Sequence, residues 1–372
     1  MTTPLTGIER WRRTVNFEEL DRPVRFEAMG FWKETLARWQ TEGLPQGGGL
    51  EVTAFLHFQM DLMAPVGLGT HEDPGFWPPM DLGVVEETER YRIRRNPSAG
   101  TWKEFKDGSS SRPEFLTFPV ETMDDFVKLK PRLSPADEGR YQIWQAFIQM
   151  SQGLKVPLQV IFCGLFGFAR HLLGFERLME SYYDQPELIH AFGEQWVELC
   201  TGALERVAKR APIQGVAFWE DMAYRNGSLI SPRTFREFMT PYYRKVTAKA
   251  RELGVFMLWV DSDGYVGQLV PLFLEVGINL IYPFEVQAGN DIMEYRKQYG
   301  KQLAILGGID KRALFGSKDE IEVELMKRLP PMLAQGGYVP SLDHVVPPEV
   351  SLENFRYYLK RVREMGEKIR KA

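Results

Sequence analysis

The sequence of 372 residues predicts an α/β fold, a single (β/α)8 TIM barrel with an antiparallel β-hairpin inserted in its N-terminal half. Two observations carry that prediction. After about residue 150, short apolar runs recur, each followed by a longer segment with helical period. The runs are apolar throughout rather than alternating, the pattern of parallel strands covered on both faces. Almost every run also ends in an acidic residue, on the face where a barrel of this kind carries its active site.

Taken in order, Val24–Glu27 after the Asp21-Arg22-Pro23 turn is the expected first strand, and His57–Met63 the second. Val84–Arg94 alternates, Asn96–Gly100 reads as a turn and Thr101–Phe105 follows it, so an inserted hairpin is expected over about residues 84–120. Gly108–Pro113 is a Ser-rich loop. The six later strands are Val156–Phe162, Gly215–Phe218, Phe256–Val260, Asn279–Tyr282, Leu303–Leu306 and Tyr338–Ser341. Ser231-Pro232 offers an N-cap with proline at the first helical position, Pro241 should kink or divide the helix, and Gly254 closes the segment. Ser351 caps the last helix, with Leu352, Phe355, Leu359 and Val362 on one face. Length alone, at roughly 150 residues per domain, suggests two domains. The βα count instead absorbs residues 1–372 into one.

Composition narrows the function classes. The chain is 44% hydrophobic and 26% charged, as globular proteins are, which excludes disordered, collagenous and coiled-coil readings. Forty-six basic against fifty acidic residues give a net charge of -4, so nucleic acid is not an expected partner. Two cysteines, Cys163 and Cys200, build neither a disulfide framework nor a multi-thiolate zinc site. Met1–Arg13 lacks an apolar signal core and no apolar run approaches the roughly 20 residues of a membrane span. A cytoplasmic protein without a membrane partner is expected, and a homodimer is compatible with the apolar first half.

The strand ends concentrate the chemistry. They lead into Trp219-Glu220-Asp221, Asp261-Ser262-Asp263-Gly264, Phe284-Glu285, Gly307-Gly308-Ile309-Asp310 and Leu342-Asp343-His344. Carboxylates converging on a barrel mouth repel one another unless a cation, a basic substrate or a raised pKa compensates. A divalent metal would do so directly, and Asp, Glu and His are ordinary ligands of zinc or manganese. Each residue also has a plainer structural role open to it. Asp263-Gly264 is a turn dipeptide, Asp261 a candidate helix cap, Asp310 an N-cap and Glu285 a rim ion pair. Arg170-His171 suits an anionic group or a solvated helix face, and Cys163 reads as a small buried hydrophobe. His57, His71 and His190 read as packing or surface residues.

The run from Trp219-Glu220-Asp221-Met222-Ala223 to His344 resembles the uroporphyrinogen decarboxylase superfamily. The carrying segments are Leu20-Asp21-Arg22-Pro23-Val24, Leu229-Ile230-Ser231-Pro232, Asp261–Gly264, Gly307-Gly308-Ile309-Asp310, and Asp343–Pro348 with Leu352-Glu353-Asn354. The superfamily comprises porphyrinogen decarboxylases and zinc-dependent methyltransferases that exchange methyl groups with corrinoid proteins or coenzyme M. Decarboxylases similar to this chain place two arginines after the first strand to hold substrate carboxylates. Here that stretch reads RFEAMGFW, with Ala28 and Trp32 or a neighbour where arginine is expected and Arg25 out of place. His344 matches the decarboxylase histidine of the last loop. Methyltransferases that resemble it carry His-x-Cys after the fifth strand and a Cys in the last loop, where this chain has Asp261, Asp263 and His344. That change gives a harder donor set, suited to zinc, manganese or iron.

The resemblance therefore implies a divergent member near the corrinoid- (cobalamin-) dependent methyltransferase branch. A small methylated substrate would lose its methyl group to a corrinoid carried by a partner protein. Asp261, Asp263 and His344 are the expected metal ligands. Glu220, Asp221 and His344 are the expected catalytic groups, with Trp219, Trp259, Tyr265 and Arg170 walling the pocket. The alternatives are a metal-independent decarboxylase of a tetrapyrrole-like or other carboxylated substrate, and a non-catalytic small-molecule binding barrel.

Overall fold

The computed structural model describes residues 4–47, 50–69, 73–107 and 113–371. In chain order the strands are β1 (Ala64–Leu68), β2 (Val84–Glu87), β3 (Tyr91–Arg95), β4 (Thr101–Phe105), β5 (Glu114–Thr117), β6 (Leu158–Cys163) and β7 (Gly215–Trp219). They continue with β8 (Ala223–Tyr224), β9 (Gly227–Ser228), β10 (Met257–Asp261), β11 (Leu280–Tyr282), β12 (Ala304–Leu306) and β13 (Tyr338–Val339). The central sheet is seven-stranded and parallel throughout, in the order β1-β6-β7-β10-β11-β12-β13. All six apolar runs of the second half are strands of this sheet, with helices packed outside it.

The two early strands differ from expectation. Val24–Glu27 forms no ladder among the described residues, yet it occupies the eighth place. The Asp61 amide donates to the Arg25 carbonyl (2.7 Å) just before β1, and the Leu342 amide donates to Glu27 Oε2 (3.0 Å) just after β13. Pro23 has no donor to offer and the Glu27 carboxylate accepts where a strand carbonyl would. The second strand is not His57–Met63, which follows a helix over Leu50–His57, but Ala64–Leu68. Its Pro65 and Gly67 disguise it in the sequence, and proline is tolerated because β1 is a ladder edge.

The inserted antiparallel hairpin expected over about residues 84–120 is there, extended to four strands in the order β2-β3-β4-β5. The alternating stretch Val84–Arg94 is folded in two. Thr88 Oγ1 accepts from the Arg90 and Tyr91 amides (3.2 and 3.1 Å), a local turn that breaks the run. The Ser-rich loop lies largely outside the described residues, as does His71. No helix among the described residues is long and apolar enough to cross a membrane.

Strand period two sorts the side chains. Met257 and Trp259 of β10 point into the barrel with Ala217, Leu280, Tyr282, Ala304, Leu306 and Val339. Leu258 and Val260 face the helices. Trp11, on the helix Gly7–Val15, is fully buried with this inner set, its ring 6.2 Å from Trp259. It covers the N-terminal end of the inner layer, and the strand-end loops lie at the other.

Local punctuation follows the sequence. Ser231 accepts from the Thr234 amide, and Pro241 stands where Pro232–Phe238 gives way to Thr240–Glu252. Ser351 Oγ accepts from the Asn354 amide (3.1 Å) at the start of the last helix, Leu352–Lys371.

Candidate active site

The same period that turns Trp259 inward turns Asp261, the last residue of β10, down the barrel axis. Asp261 is 1% exposed, and its Oδ1 has no hydrogen-bond partner. Burial, and then the carboxylates of Asp263, Asp221 and Glu285, push its carboxyl well above the ordinary range. Two residues on, the chain has left the strand. Gly264 (φ +78°) turns it sharply, and a Cβ there would stand 2.8 Å from the Tyr224 carbonyl oxygen, so only glycine fits.

That turn presents Asp263 to the mouth. His344 Nε2, from the loop after β13, lies 3.3 Å from Asp263 Oδ2. Glu285, from the loop after β11, is held by the Gly264 amide, which donates to its Oε2 (2.8 Å). One ligand atom each from Asp263, Glu285 and His344 lies within 4.8 Å of the others. Asp263 Oδ1 is buried and has no hydrogen-bond partner. Asp263 and Glu285 open on a cavity of about 480 Å³ shared with Asp221, Tyr224 and Arg312. His344 lines another of about 410 Å³ with Trp32 and Lys311.

Asp343 organises these loops. It is fully buried and accepts from the Val286 amide (2.9 Å) and the Lys311 amide (3.0 Å), so the loops after β11 and β12 are tied to the residue before His344. Burial raises its carboxyl, against the pull of Lys311. Lys311 Nζ stands 4.0 Å from both Glu285 Oε1 and Asp343 Oδ1.

The other expected residues are placed differently. Asp261 lies outside the three-residue group because it is still on the strand and points beneath it. Glu285 takes that place. Glu220 is fully buried and caps the helix Leu165–Leu173, its Oε2 accepting from the Phe166 and Gly167 amides (2.9 and 3.1 Å) and its Oε1 from the Tyr243 hydroxyl. Burial pushes its carboxyl up to about 7 despite these hydrogen bonds. Asp221 faces the larger cavity from a left-handed backbone (φ 44°), its carbonyl accepting from Arg170 Nη1 (2.9 Å). Arg170 is thus engaged with Asp221, whose carboxylate is 3.6 Å away, and His171 is buried in its helix.

Trp219 is half-buried at the end of β7, whereas Trp259 belongs to the inner core, 5.0 Å from the Tyr282 ring. Tyr265 is hydrogen-bonded to Tyr295. Asp310 caps the turn after it and pairs with Arg312 (2.6 Å). Cys163 is buried, and burial raises its thiol well above the ordinary range. His190 bonds the Tyr242 hydroxyl (2.8 Å). Lys311 and Asp343 went unselected in the sequence. The signal for Asp343 was its place beside His344, and nothing local marks Lys311.

A model of the uroporphyrinogen decarboxylase (URO-D) family matches residues 98–365. The uroporphyrinogen decarboxylase of Trichodesmium erythraeum is 22% identical over 195 residues, 52% of either chain. That of Pseudoalteromonas translucida is 23% identical over 265 residues, 68% of this chain and 72% of the other. The chain spans about half the length of the first curated relatives it matches. Among solved structures, a methyltransferase from Methanosarcina mazei superposes with a TM-score of 0.63 at 14% identity, covering 97% of this chain and 99% of that one. The likeness is one of fold.

Proposed function

Because the chain belongs to the uroporphyrinogen decarboxylase family, we propose that it is an enzyme of the methyltransferase branch, moving a methyl group from a small methylated or methoxylated substrate to a corrinoid carried by a partner protein. The observation that carries this reading is the convergence of Asp263, Glu285 and His344 from three separate strand-end loops. A metal fits there on two counts. Asp263 Oδ1 is buried without a partner, and two carboxylates with one imidazole make a hard donor set suited to zinc, manganese or iron. Bound there, a divalent cation supplies Lewis acidity toward the oxygen of a methoxy group or similar leaving group.

The chain's own residues supply the rest. Asp343 fixes the loops that carry Glu285 and Lys311, and Lys311 sets a positive charge against the carboxylates. Asp221 faces the cavity as the acid able to orient or protonate a leaving group, with Tyr224 of β8 on the same wall and Trp219 ending β7 two residues before it. Glu220 acts from below, holding the helix that carries Arg170 against Asp221.

The test is methyl transfer to free cob(I)alamin from a panel of methoxylated and methylated small molecules, using metal-loaded protein. The reading requires methylcobalamin with at least one donor, and its loss in Glu285→Gln. A second reading, carboxy-lyase activity, is favoured by the curated relatives, which are named as decarboxylases. It has Asp261, a buried carboxyl on the barrel axis, to hydrogen-bond a developing charge. Carbon dioxide release from a carboxylated substrate, with no methylcobalamin from any donor, would replace the first reading by the second.

A further inference from the structure

At the N-terminal ends of the strands, opposite the mouth, the end of the helix Leu50–His57 and the last helix enclose a groove of about 350 Å³. Its walls include His57, Phe58, Arg356, Leu359, Lys360 and Arg363. Arg356, Lys360 and Arg363 face the groove against two acids, Glu364 and Glu367. Among the described residues Arg356 makes one polar contact, Nη2 donating to His57 Nε2 (3.2 Å). Arg363 donates through Nη2 to the Phe58 carbonyl, while its Nε is buried with no partner. Among the described residues neither guanidinium has a carboxylate within ion-pairing distance.

Arg25 lies behind them, and burial, then Arg22 and Arg363, push its guanidinium down to about 10. Asp61, which pulls the other way on Arg25, is already shared by Arg10 (3.2 Å) and Arg22 (2.7 Å). Of the two acids, Glu364 is bound by Arg361 and lies 3.8 Å from Lys360, and Glu367 is exposed near the end of the helix.

We propose that this groove binds a phosphorylated small molecule, its oxyanion held by the guanidinium fork of Arg356 and the remaining N–H groups of Arg363 with Lys360 at the rim. Guanidinium forks match phosphate oxygens in pairs, and such charge-assisted bonds are the strong ones. Guanidinium groups that share a groove without carboxylate partners repel one another, and a multivalent anion lowers that cost. Phe58 and Leu359 supply an apolar wall for the carbon part of an ester. The bond to His57 uses one donor of Arg356, which leaves the guanidinium's remaining donors for the ligand.

The test is calorimetric titration of the full chain with pyrophosphate at low salt, alongside its thermal unfolding. Saturable one-site binding and a raised melting temperature are expected. Affinity should fall at least about tenfold in the Arg356→Ala/Arg363→Ala double variant. Arg363 also ties down the Phe58 carbonyl, so Arg356→Ala/Lys360→Ala, both exposed, is the second variant and should show the same loss. Vesicles of phosphatidylglycerol should not retain the protein. Absent pyrophosphate binding, affinity unchanged in Arg356→Ala/Lys360→Ala, or retention on the vesicles would each overturn the proposal.

Discussion

At the scale of single residues, the clearest consequences come from carboxyl groups whose ionisation burial opposes. Glu220 and Glu27 are each pushed up to about 7 from 4.5, with burial the first cause and hydrogen bonds opposing it. Between these two values the folded state binds more protons than the unfolded state. Stability is therefore highest below the unfolded value and falls as pH rises toward 7, by on the order of 3 kcal/mol for each group. Glu220→Gln keeps an acceptor for the Phe166 and Gly167 amides but cannot ionise. Urea unfolding at about pH 5 and pH 8 should show a smaller loss in that variant than in the natural chain, and an equal loss would contradict the assignment. Gly164 supplies a second test. A Cβ there would stand 2.3 Å from the Glu220 carboxyl carbon. Gly164→Ala should cost about 1–3 kcal/mol by overpacking, visible as a lower melting temperature.

At the scale of elements, the site is made by loops and the loops are held by Asp343. Asp343→Ala would free two half-buried amides, those of Val286 and Lys311, and release the segment bearing Glu285. Residues that orient metal ligands in this way typically contribute about 10–100-fold in affinity. The expected outcome is a loss of that size in manganese or zinc affinity, with the far-ultraviolet spectrum unchanged. Unaltered affinity would show that the loops hold themselves. The same scale explains what was legible in the sequence. The six later strands were readable because each is a continuous apolar run between helices. Ala64–Leu68 was not, since Pro65 and Gly67 are turn residues that only an edge position tolerates. Val24–Glu27 was readable as the eighth place but not as a segment held through its Glu27 side chain. Asp263 and His344 stood out as strand-end residues. Glu285 did not stand apart from a rim ion pair, because only the turn at Gly264 brings its carboxylate to them.

At the scale of the whole molecule, charge and packing divide between two ends. The inner layer of the barrel is covered below by Trp11, and Asp221, Asp263 and Glu285 gather above. The sequence showed the acids at the strand ends, and the fold reduced them to a compact group by burying Asp261 and Glu220 beneath it. Removing that cover should be costly in stability. Trp11→Ala should destabilise by about 3–5 kcal/mol, because its ring fills the inner layer against Phe26 and Trp259. The central claim is that the mouth holds a divalent metal on Asp263, Glu285 and His344. Its most direct test is the metal content of the full chain after reconstitution with zinc, manganese or iron(II) and removal of excess, measured by mass spectrometry beside Asp263→Asn and His344→Ala. Close to one ion per chain is expected in the natural protein, with most of it lost in both variants. No stoichiometric metal under any of the three conditions, or equal retention by the variants, would contradict it.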